Sequence, residues 1–161
     1  MPRDRKVRVG DRAPDFTLPD QAAKPVRLRD LLGRGTVVLY FYPKDETPGC
    51  TLEARAFRDS YDRFTAAGAE VVGISSDSIA SHRRFAARHG LPFLLLSDRG
   101  GGVRELYGVD KTLGFLPGRV TYVIDKAGVV RRTYSSQLRA TRHTREALEA
   151  LAVLSDAGRS V

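Results

Sequence analysis

The sequence contains one cysteine, Cys50, and no tryptophan in 161 residues. A single cysteine excludes a disulfide within the chain and any metal site built from several cysteines. No hydrophobic run approaches the ~18 residues that a membrane-spanning helix needs. The opening segment, MPRDRKVRVGDRAPDF, mixes basic and acidic residues and lacks the apolar stretch of a secretory signal. We therefore expect a cytoplasmic protein without a membrane partner, in which any thiol chemistry involves Cys50 alone.

Basic residues outnumber acidic residues by 27 to 19, which gives the chain a net charge of +8. An excess of this kind can indicate binding to phosphate-rich partners. However, the basic residues are scattered, and even the densest stretch, between Arg131 and Arg145, is interrupted by apolar residues. No helix-turn-helix, zinc-finger or RNP signature accompanies them. We therefore expect no nucleic-acid partner.

The length and composition predict a single domain over residues 1–161, with its core at about 9–155. Hydrophobic residues make up 42% of the chain and charged residues 29%, which is ordinary for a globular protein. A chain of this length buries roughly 70% of its extended surface on folding, which is enough for one sizeable core. No internal repeat, low-complexity segment or linker divides the sequence.

Five short runs rich in β-branched and aromatic residues predict strands. They are residues 36–42, 70–75, 93–97, 120–125 and 129–134. The first run is apolar throughout, which predicts a strand buried on both faces of a sheet. The last two runs are separated by a short Lys-Ala-Gly turn, so we expect an antiparallel hairpin at one edge of the sheet.

Helical periodicity fills the intervals between these runs. Three helices are predicted, from near Cys50 to Gly68, over residues 79–89 and over residues 144–154. Ser78 is placed to cap the second helix and Gly90 to end it. The alternation of strands and helices predicts an α/β fold with a central mixed sheet flanked by helices.

Cys50 lies in the segment Tyr42-Pro-Lys-Asp-Glu-Thr-Pro-Gly-Cys-Thr51, which joins the predicted central strand to a predicted helix. Open α/β sheets place their ligands at such junctions. The free N–H groups and partial positive charge of a helix N-terminus also favour a thiolate. Free cysteines are often small buried hydrophobes, but a polar loop after Thr-Pro-Gly is an unusual setting for one. We therefore predict a charged thiol at Cys50 that solvent can reach.

A thiolate alone does not make a fast catalyst, because a less basic sulfur is also less nucleophilic and the net gain is only about two- to three-fold. The site therefore needs hydrogen-bond donors and a cation. Thr47 could offer its hydroxyl to the sulfur or simply cap the helix. Arg119, at the start of a predicted strand, could bring its planar fork to the site or lie on the surface as most arginines do. Pro43 could limit water near the sulfur or serve as turn chemistry.

Other cysteine chemistries lack the residues that they need. A thiol-disulfide exchange enzyme would need Cys-x-x-Cys, but Thr47 occupies the first position. A cysteine hydrolase would need an oriented histidine base. His82, His89 and His143 have no recognisable motif, and we expect them to be solvent-exposed.

The string Tyr40-Phe-Tyr-Pro-Lys-Asp-Glu-Thr-Pro-Gly-Cys-Thr-Leu-Glu53, followed by Phe57-Arg-Asp59, closely resembles the peroxiredoxins. The type that it resembles is the bacterioferritin comigratory protein, or PrxQ, type. The Pro-x-x-x-Thr-x-x-Cys spacing is met by Pro43, Thr47 and Cys50, and the similarity runs from about Val9 to Leu154.

This resemblance implies a thioredoxin fold with an N-terminal extension and a thiol-dependent peroxidase that uses no cofactor or metal. Its substrates would be hydrogen peroxide and organic hydroperoxides. Cys50 would attack the peroxide and become a sulfenic acid. Thr47 and Arg119 would hold the peroxide oxygens, Pro43 would shield the sulfenate, and Glu53 would orient the arginine.

The sequence departs from the family pattern at Arg55. Many members of this type carry a second, resolving cysteine five residues after the first, and Arg55 occupies that position here. The sulfenate would then be reduced by an external thiol, namely thioredoxin, a glutaredoxin or a low-molecular-weight thiol. We expect a monomer or a weak homodimer. The alternative is a thioredoxin-like peroxide sensor or chaperone that passes oxidation to a partner protein without efficient turnover.

Overall fold

The computed structural model describes residues 6–109 and 118–159, with side chains up to residue 154. The ends of the predicted domain, residues 1–5 and 160–161, lie outside this part of the chain. The described chain begins with two short strands, β1 (Thr17–Pro19) and β2 (Pro25–Arg27), followed by helix α1 (Leu28–Leu32). The two strands pair with each other in antiparallel fashion and form the extension that precedes the main sheet.

Within the described residues the main sheet has five strands, which correspond closely to the five predicted runs. They are β3 (Thr36–Phe41), β4 (Ala69–Ser75), β5 (Leu94–Ser97), β6 (Val120–Ile124) and β7 (Val130–Ser135). Their order across the sheet is β5-β4-β3-β6-β7. Strand β3 pairs in parallel with β4 and in antiparallel fashion with β6, so the sheet is mixed, as predicted. The predicted antiparallel hairpin, β6 with β7, lies at one edge.

The helices lie between and after these strands. They are α2 (Pro48–Asp59), α3 (Tyr61–Ala66), α4 (Ile79–His89), α5 (Gly102–Tyr107) and α6 (Arg142–Arg159). The helix predicted from Cys50 to Gly68 is two helices, because Ser60 leaves the helical conformation with ψ near 6°. The prediction for α4 is confirmed at both ends. The Ser78 hydroxyl accepts a hydrogen bond from the Ser81 N–H, and Gly90 ends the helix in the left-handed conformation.

Strand β3 lies at the centre of the fold and is buried on both faces. Its side chains alternate between two hydrophobic clusters because successive residues of a strand point to opposite sides. Leu39 and Phe41 face the cluster that includes the N-terminal elements, whereas Val38 and Tyr40 face the cluster that includes α2 and α6. The carboxyl end of β3 leads directly into the loop before α2, and this connection positions Cys50.

None of the helices in the part of the chain that the structure describes combines the length and the apolar composition that crossing a membrane requires.

Candidate active site

The Cys50 sulfur lies in the first turn of α2, with its side chain turned toward the sheet. Helix α2 begins at Pro48, a residue well suited to a first helical position because its missing N–H would have no partner there. Cys50, Ala54 and Phe57 follow one another at helical spacing and are all buried in the same cluster. Helix α2 therefore packs its whole inner face, including the cysteine, against the sheet.

The prediction that solvent reaches Cys50 is wrong, because the residue is only 1% exposed. The buried face of α2 extends back to the cysteine, and its packing against the sheet covers the sulfur. The predicted cation is nevertheless present. The Arg119 Nη2 group lies 3.3 Å from Cys50 Sγ and donates a hydrogen bond to it. The sulfur is thus buried away from bulk water but lies in contact with a positive charge.

The Arg119 guanidinium joins Cys50 to Glu53. Its Nη1 group lies 2.6 Å from Glu53 Oε1, while Nη2 points at the sulfur. Arg119 is only 4% exposed, although the sequence alone favoured a surface position. Burial by itself would lower the pKa of Arg119, but the charges of Glu53 and Cys50 raise it, so the side chain stays cationic. One fixed fork therefore addresses two acidic groups at once.

Glu53 lies one turn after Cys50 on α2 and is completely buried. Burial raises the pKa of Glu53 to about 8, although the neighbouring Arg119 opposes the shift. Only one of its carboxylate oxygens is hydrogen-bonded, because Oε2 has no hydrogen-bond partner among the described residues. The family resemblance implies that Glu53 orients the arginine. The structure places its side chain beside Arg119, 2.6 Å from Nη1.

Thr47 and Pro43 lie in the loop before α2 and are both half-buried. Thr47 occupies the N-cap position, but its side chain does not cap the helix. Its hydroxyl instead donates a 2.8 Å hydrogen bond to the Lys44 carbonyl. The predicted capping of the helix by this hydroxyl is therefore not observed. The hydroxyl is held within the loop that leads to the sulfur.

The same loop is anchored by Asp45, a residue that the sequence analysis did not single out. Asp45 is buried and accepts a hydrogen bond from the Tyr42 hydroxyl at 2.6 Å and one from the Ser81 hydroxyl at 2.8 Å. His82 Nδ1 lies 2.7 Å from the same carboxylate, and its other ring nitrogen faces the Leu96 carbonyl. The expectation that His82 is exposed is therefore wrong. Strands β3 and β5 and helix α4 together fix the loop.

Arg104 provides a second anchor that the sequence did not reveal. Its guanidinium donates to the Tyr42 carbonyl and to the Gly118 carbonyl, each at 2.8 Å. Tyr42 begins the loop that carries Pro43 and Thr47, and Gly118 directly precedes Arg119. One buried side chain thus holds together the two segments that meet at the sulfur. No local pattern marks this role, because the two carbonyls are far apart in the sequence.

His143, near the start of α6, is also buried, so the expectation that it is exposed is wrong as well. Its Nδ1 atom lies 2.7 Å from the Thr121 hydroxyl and 3.5 Å from Glu53 Oε2. Its Nε2 atom lies 2.9 Å from the Ser136 carbonyl. Contacts with β6 and with the residue that follows β7 place this imidazole next to the Glu53 carboxylate, which in turn contacts Arg119.

The chain is similar to known proteins both in sequence and in fold. A sequence profile of the AhpC/TSA family matches residues 9–133. Peroxiredoxin Q, chloroplastic, from Sedum lineare is 55% identical over 91% of this chain and 78% of its own length. The protein of the same name from Arabidopsis thaliana is 56% identical over 91% of this chain and 68% of its own. The crystal structure of Peroxidoxin BcpB from Mycobacterium tuberculosis superposes with a TM-score of 0.86 at 41% identity, covering 91% of this chain and 97% of that one.

The chain therefore belongs to the AhpC/TSA family of peroxiredoxins. Its mixed five-stranded sheet flanked by helices is the thioredoxin-like fold of these proteins, which confirms the predicted fold class. It is a thiol-dependent peroxidase of the PrxQ type with a single cysteine, and it uses a peroxide and a thiol reductant.

The expectation of a cytoplasmic location is contradicted. The curated relatives from Sedum lineare, Arabidopsis thaliana and Oryza sativa are named as chloroplastic proteins. The expectation depended on the absence of a secretory signal from the opening segment, and such an absence does not distinguish among compartments inside a cell.

Proposed function

We propose that Cys50 is the residue that attacks the peroxide. Its thiolate displaces an oxygen of the O–O bond, so that an S–O bond forms while the O–O bond breaks. The electron pair of the broken bond leaves on hydroxide or alkoxide, which takes up a proton to become water or an alcohol. The cysteine is oxidised to a sulfenic acid and the peroxide is reduced. Hydrogen peroxide and organic hydroperoxides are the proposed substrates.

The observation that carries this proposal is the 3.3 Å contact between Arg119 Nη2 and Cys50 Sγ in a buried setting. Charge moves from sulfur to the leaving oxygen during the reaction. A fixed cation stabilises that charge more strongly where water is excluded than it would in bulk solvent. Because Glu53 holds the other arm of the fork, the guanidinium need not reorganise when the peroxide arrives.

We assign the remaining residues to the substrate and its surroundings. Arg119 holds a peroxide oxygen, and Thr47 donates to the same peroxide by rotating its hydroxyl away from the Lys44 carbonyl, 2.8 Å away. Glu53 orients Arg119. Pro43 covers the site from the loop and shields the sulfenate from water. No cofactor or metal takes part in this scheme.

The sulfenate is reduced in two steps by an external thiol. The first thiol forms a mixed disulfide with Cys50 and releases water. A second thiol displaces Cys50 and leaves as part of a new disulfide. Arg55, at the position where relatives of this type carry a resolving cysteine, is exposed and has no thiol to offer. Thioredoxin, a glutaredoxin or a low-molecular-weight thiol is the proposed reductant.

Because Cys50 is 1% exposed, the reducing thiol reaches it only when the first turn of α2 opens locally.

We further propose that the chain works as one domain and as a monomer or a weak homodimer. Size-exclusion chromatography at several protein concentrations tests the oligomeric state, because the apparent mass of a weak dimer falls on dilution.

The function is tested by measuring peroxide consumption with each of the three classes of reductant. The wild-type protein should turn over with at least one of them, and Cys50→Ser should consume no peroxide above background. Cys50→Ser is a matched control because it replaces only the sulfur and keeps the size of the side chain. Stoichiometric oxidation without turnover by any reductant would instead favour the sensor, and activity retained in Cys50→Ser would refute the role of Cys50.

A further inference from the structure

The unpaired oxygen of Glu53 identifies a second residue that acts on the site. Glu53 is completely buried, and its Oε2 has no hydrogen-bond partner among the described residues. A buried carboxylate oxygen without a partner is costly. The polar atom opposite it is His143 Nδ1, at 3.5 Å. A single proton held between these two atoms would supply the interaction that Oε2 lacks.

The hydrogen bonds of His143 leave only one edge of the ring free to change its protonation. Its Nε2 atom lies 2.9 Å from the Ser136 carbonyl, and a carbonyl only accepts, so Nε2 carries a proton. Its Nδ1 atom lies 2.7 Å from the Thr121 hydroxyl, which can donate to a neutral ring or accept from a charged one. The ring nitrogen that can gain or lose a proton, Nδ1, is therefore also the one that faces Glu53.

Charged and titratable groups surround the imidazole on every packed element. They are Glu53 from α2, Arg119 before β6, Tyr134 from β7 and Glu146 from α6, and Glu146 is itself paired with Arg142. Burial, aided by the positive charge of Arg119, lowers the pKa of His143 to about 4, although the Ser136 carbonyl and Glu146 oppose the shift. Burial raises the pKa of Glu53 to about 8. Both directions favour one proton on the pair near neutral pH.

We propose that His143 is a positioning residue that shares one proton with Glu53 and thereby holds Arg119 against the cysteine. The inference rests on the proposed function of Cys50 and names a residue beyond it. The pair is uncharged as a whole when it holds one proton, whether the proton lies on the carboxyl or on the ring. The guanidinium charge is then balanced by the Cys50 thiolate. When the pair loses that proton, Glu53 becomes the stronger partner for Arg119 and draws the fork away from the sulfur.

The first variant that tests this inference is His143→Gln. The glutamine amide can still donate to the Ser136 carbonyl, but no atom remains in the place of Nδ1. We expect Cys50 oxidation by hydrogen peroxide to slow about tenfold, because the fork is less well placed. We also expect the alkaline limb of the pH–rate profile to move to lower pH by roughly one unit, because the pair binds its proton less tightly.

Thr144→Val is the matched control. Thr144 adjoins His143 on α6, is buried, and has a hydroxyl with no hydrogen-bond partner among the described residues. Valine has nearly the same shape, so this variant perturbs the start of α6 without changing the pair. Both the rate and the pH profile should match those of the wild-type protein.

Thr121→Val provides a second test if His143→Gln folds poorly. It removes the hydroxyl that occupies Nδ1 and leaves that nitrogen to Glu53 alone, so the alkaline limb should move to higher pH. The inference is overturned if neither variant moves the limb, even where the rate falls, since a purely structural role predicts no shift. A wild-type protein that reacts no faster than free cysteine would refute the proposed function instead, so the two failures are distinguishable.

Discussion

At Cys50 a single guanidinium replaces the water that burial excludes. Arg119 Nη2 donates a hydrogen bond to the sulfur, and the other arm of the same guanidinium is held by Glu53. An exposed cysteine would have many water molecules to stabilise its charge, each free to reorient. A buried one depends on groups held in fixed positions, so small displacements of Arg119, which contacts the sulfur, should have large effects on rate.

Gly49 is the position where such a displacement can be imposed with the least disturbance. A Cβ atom at this residue would lie 3.0 Å from Arg119 Nη2, which is closer than ordinary van der Waals contact. Gly49→Ala should therefore shift the fork by a few tenths of an ångström and slow Cys50 oxidation by roughly tenfold. Rapid-quench kinetics measure the rate, and thermal unfolding should show little change in stability.

Gly102→Ala is the control for this prediction, since a Cβ at Gly102, the first residue of α5, meets nothing within 4 Å. It should leave the oxidation rate unchanged. If Gly49→Ala reacts as fast as Gly102→Ala, the position of the Arg119 fork does not limit the reaction.

Arg119→Lys tests the need for the fork itself. A lysine keeps the charge, but its single ammonium cannot contact Glu53 and Cys50 in the geometry of two separate N–H groups. The rate of oxidation should fall about 100-fold although the charge is kept, because the two-armed contact is lost. Arg58→Lys, on the helix that carries Cys50 but bonded to the His89 carbonyl, is the matched control and should react like the wild type. Equal rates for the two variants would show that the fork of Arg119 does not contribute to the reaction.

Among the elements, α2 and α4 begin in contrasting ways. Ser78 caps α4 through a 3.1 Å hydrogen bond from the Ser81 N–H, whereas Thr47 leaves α2 without a side-chain cap. Ser78→Ala should therefore lower the free energy of unfolding by about 1 kcal/mol. Thr47→Ala should lower it by less than about 0.5 kcal/mol, but should slow the reaction with peroxide if its hydroxyl serves the substrate.

Urea denaturation and oxidation kinetics on the same two proteins separate these effects. The contrast fails if Thr47→Ala is destabilised as much as Ser78→Ala, because the threonine hydroxyl would then stabilise the helix after all.

The elements could be predicted from the sequence because their signals are local. The apolar run of β3, the serine before α4 and the glycine after it each lie within a few residues of the feature that they determine. The break between α2 and α3 at Ser60 could not be predicted, since the stripe of Phe57, Tyr61 and Phe64 continues across it at helical spacing.

The candidate site also has parts that local sequence signals predict and parts that they do not. Cys50, Thr47 and Pro43 lie in one short motif. Arg119 is a candidate from its place at the start of a predicted strand, and the family resemblance adds Glu53 and gives Arg119 its role. The burial of Cys50 and the roles of Arg104, Asp45 and His143 depend on contacts between distant segments. A histidine with no motif is usually on the surface, and only the packing of α6 against the sheet shows that His143 is not.

For the whole molecule, the buried acid and base of the site predict how stability varies with pH. The pKa of Glu53 is raised from 4.5 to about 8, so its contribution to stability is lost as pH rises through that range. The pKa of His143 is lowered from 6.5 to about 4, so its contribution is lost as pH falls through that range. The two trends oppose each other between pH 4.5 and 6.5, and only that of Glu53 acts above pH 6.5.

The free energy of unfolding should therefore decline by up to about 2 kcal/mol between pH 6.5 and 8, since one proton contributes about 1.4 kcal/mol per pH unit. Urea denaturation at several pH values measures this decline. Glu53→Gln, which mimics the protonated carboxyl, should remove most of it. An equal decline in the wild type and the variant would show that another group is responsible.

The most direct test of the account is the rate at which Cys50 itself reacts with one equivalent of hydrogen peroxide. Because the chain has no tryptophan, the sulfenic acid is best followed by rapid quenching with a sulfenate-specific reagent and mass spectrometry. We predict a second-order rate constant at least ~1,000-fold above that of free cysteine at the same pH, since a fixed cation faces the reacting sulfur. A rate no higher than that of free cysteine would contradict the account.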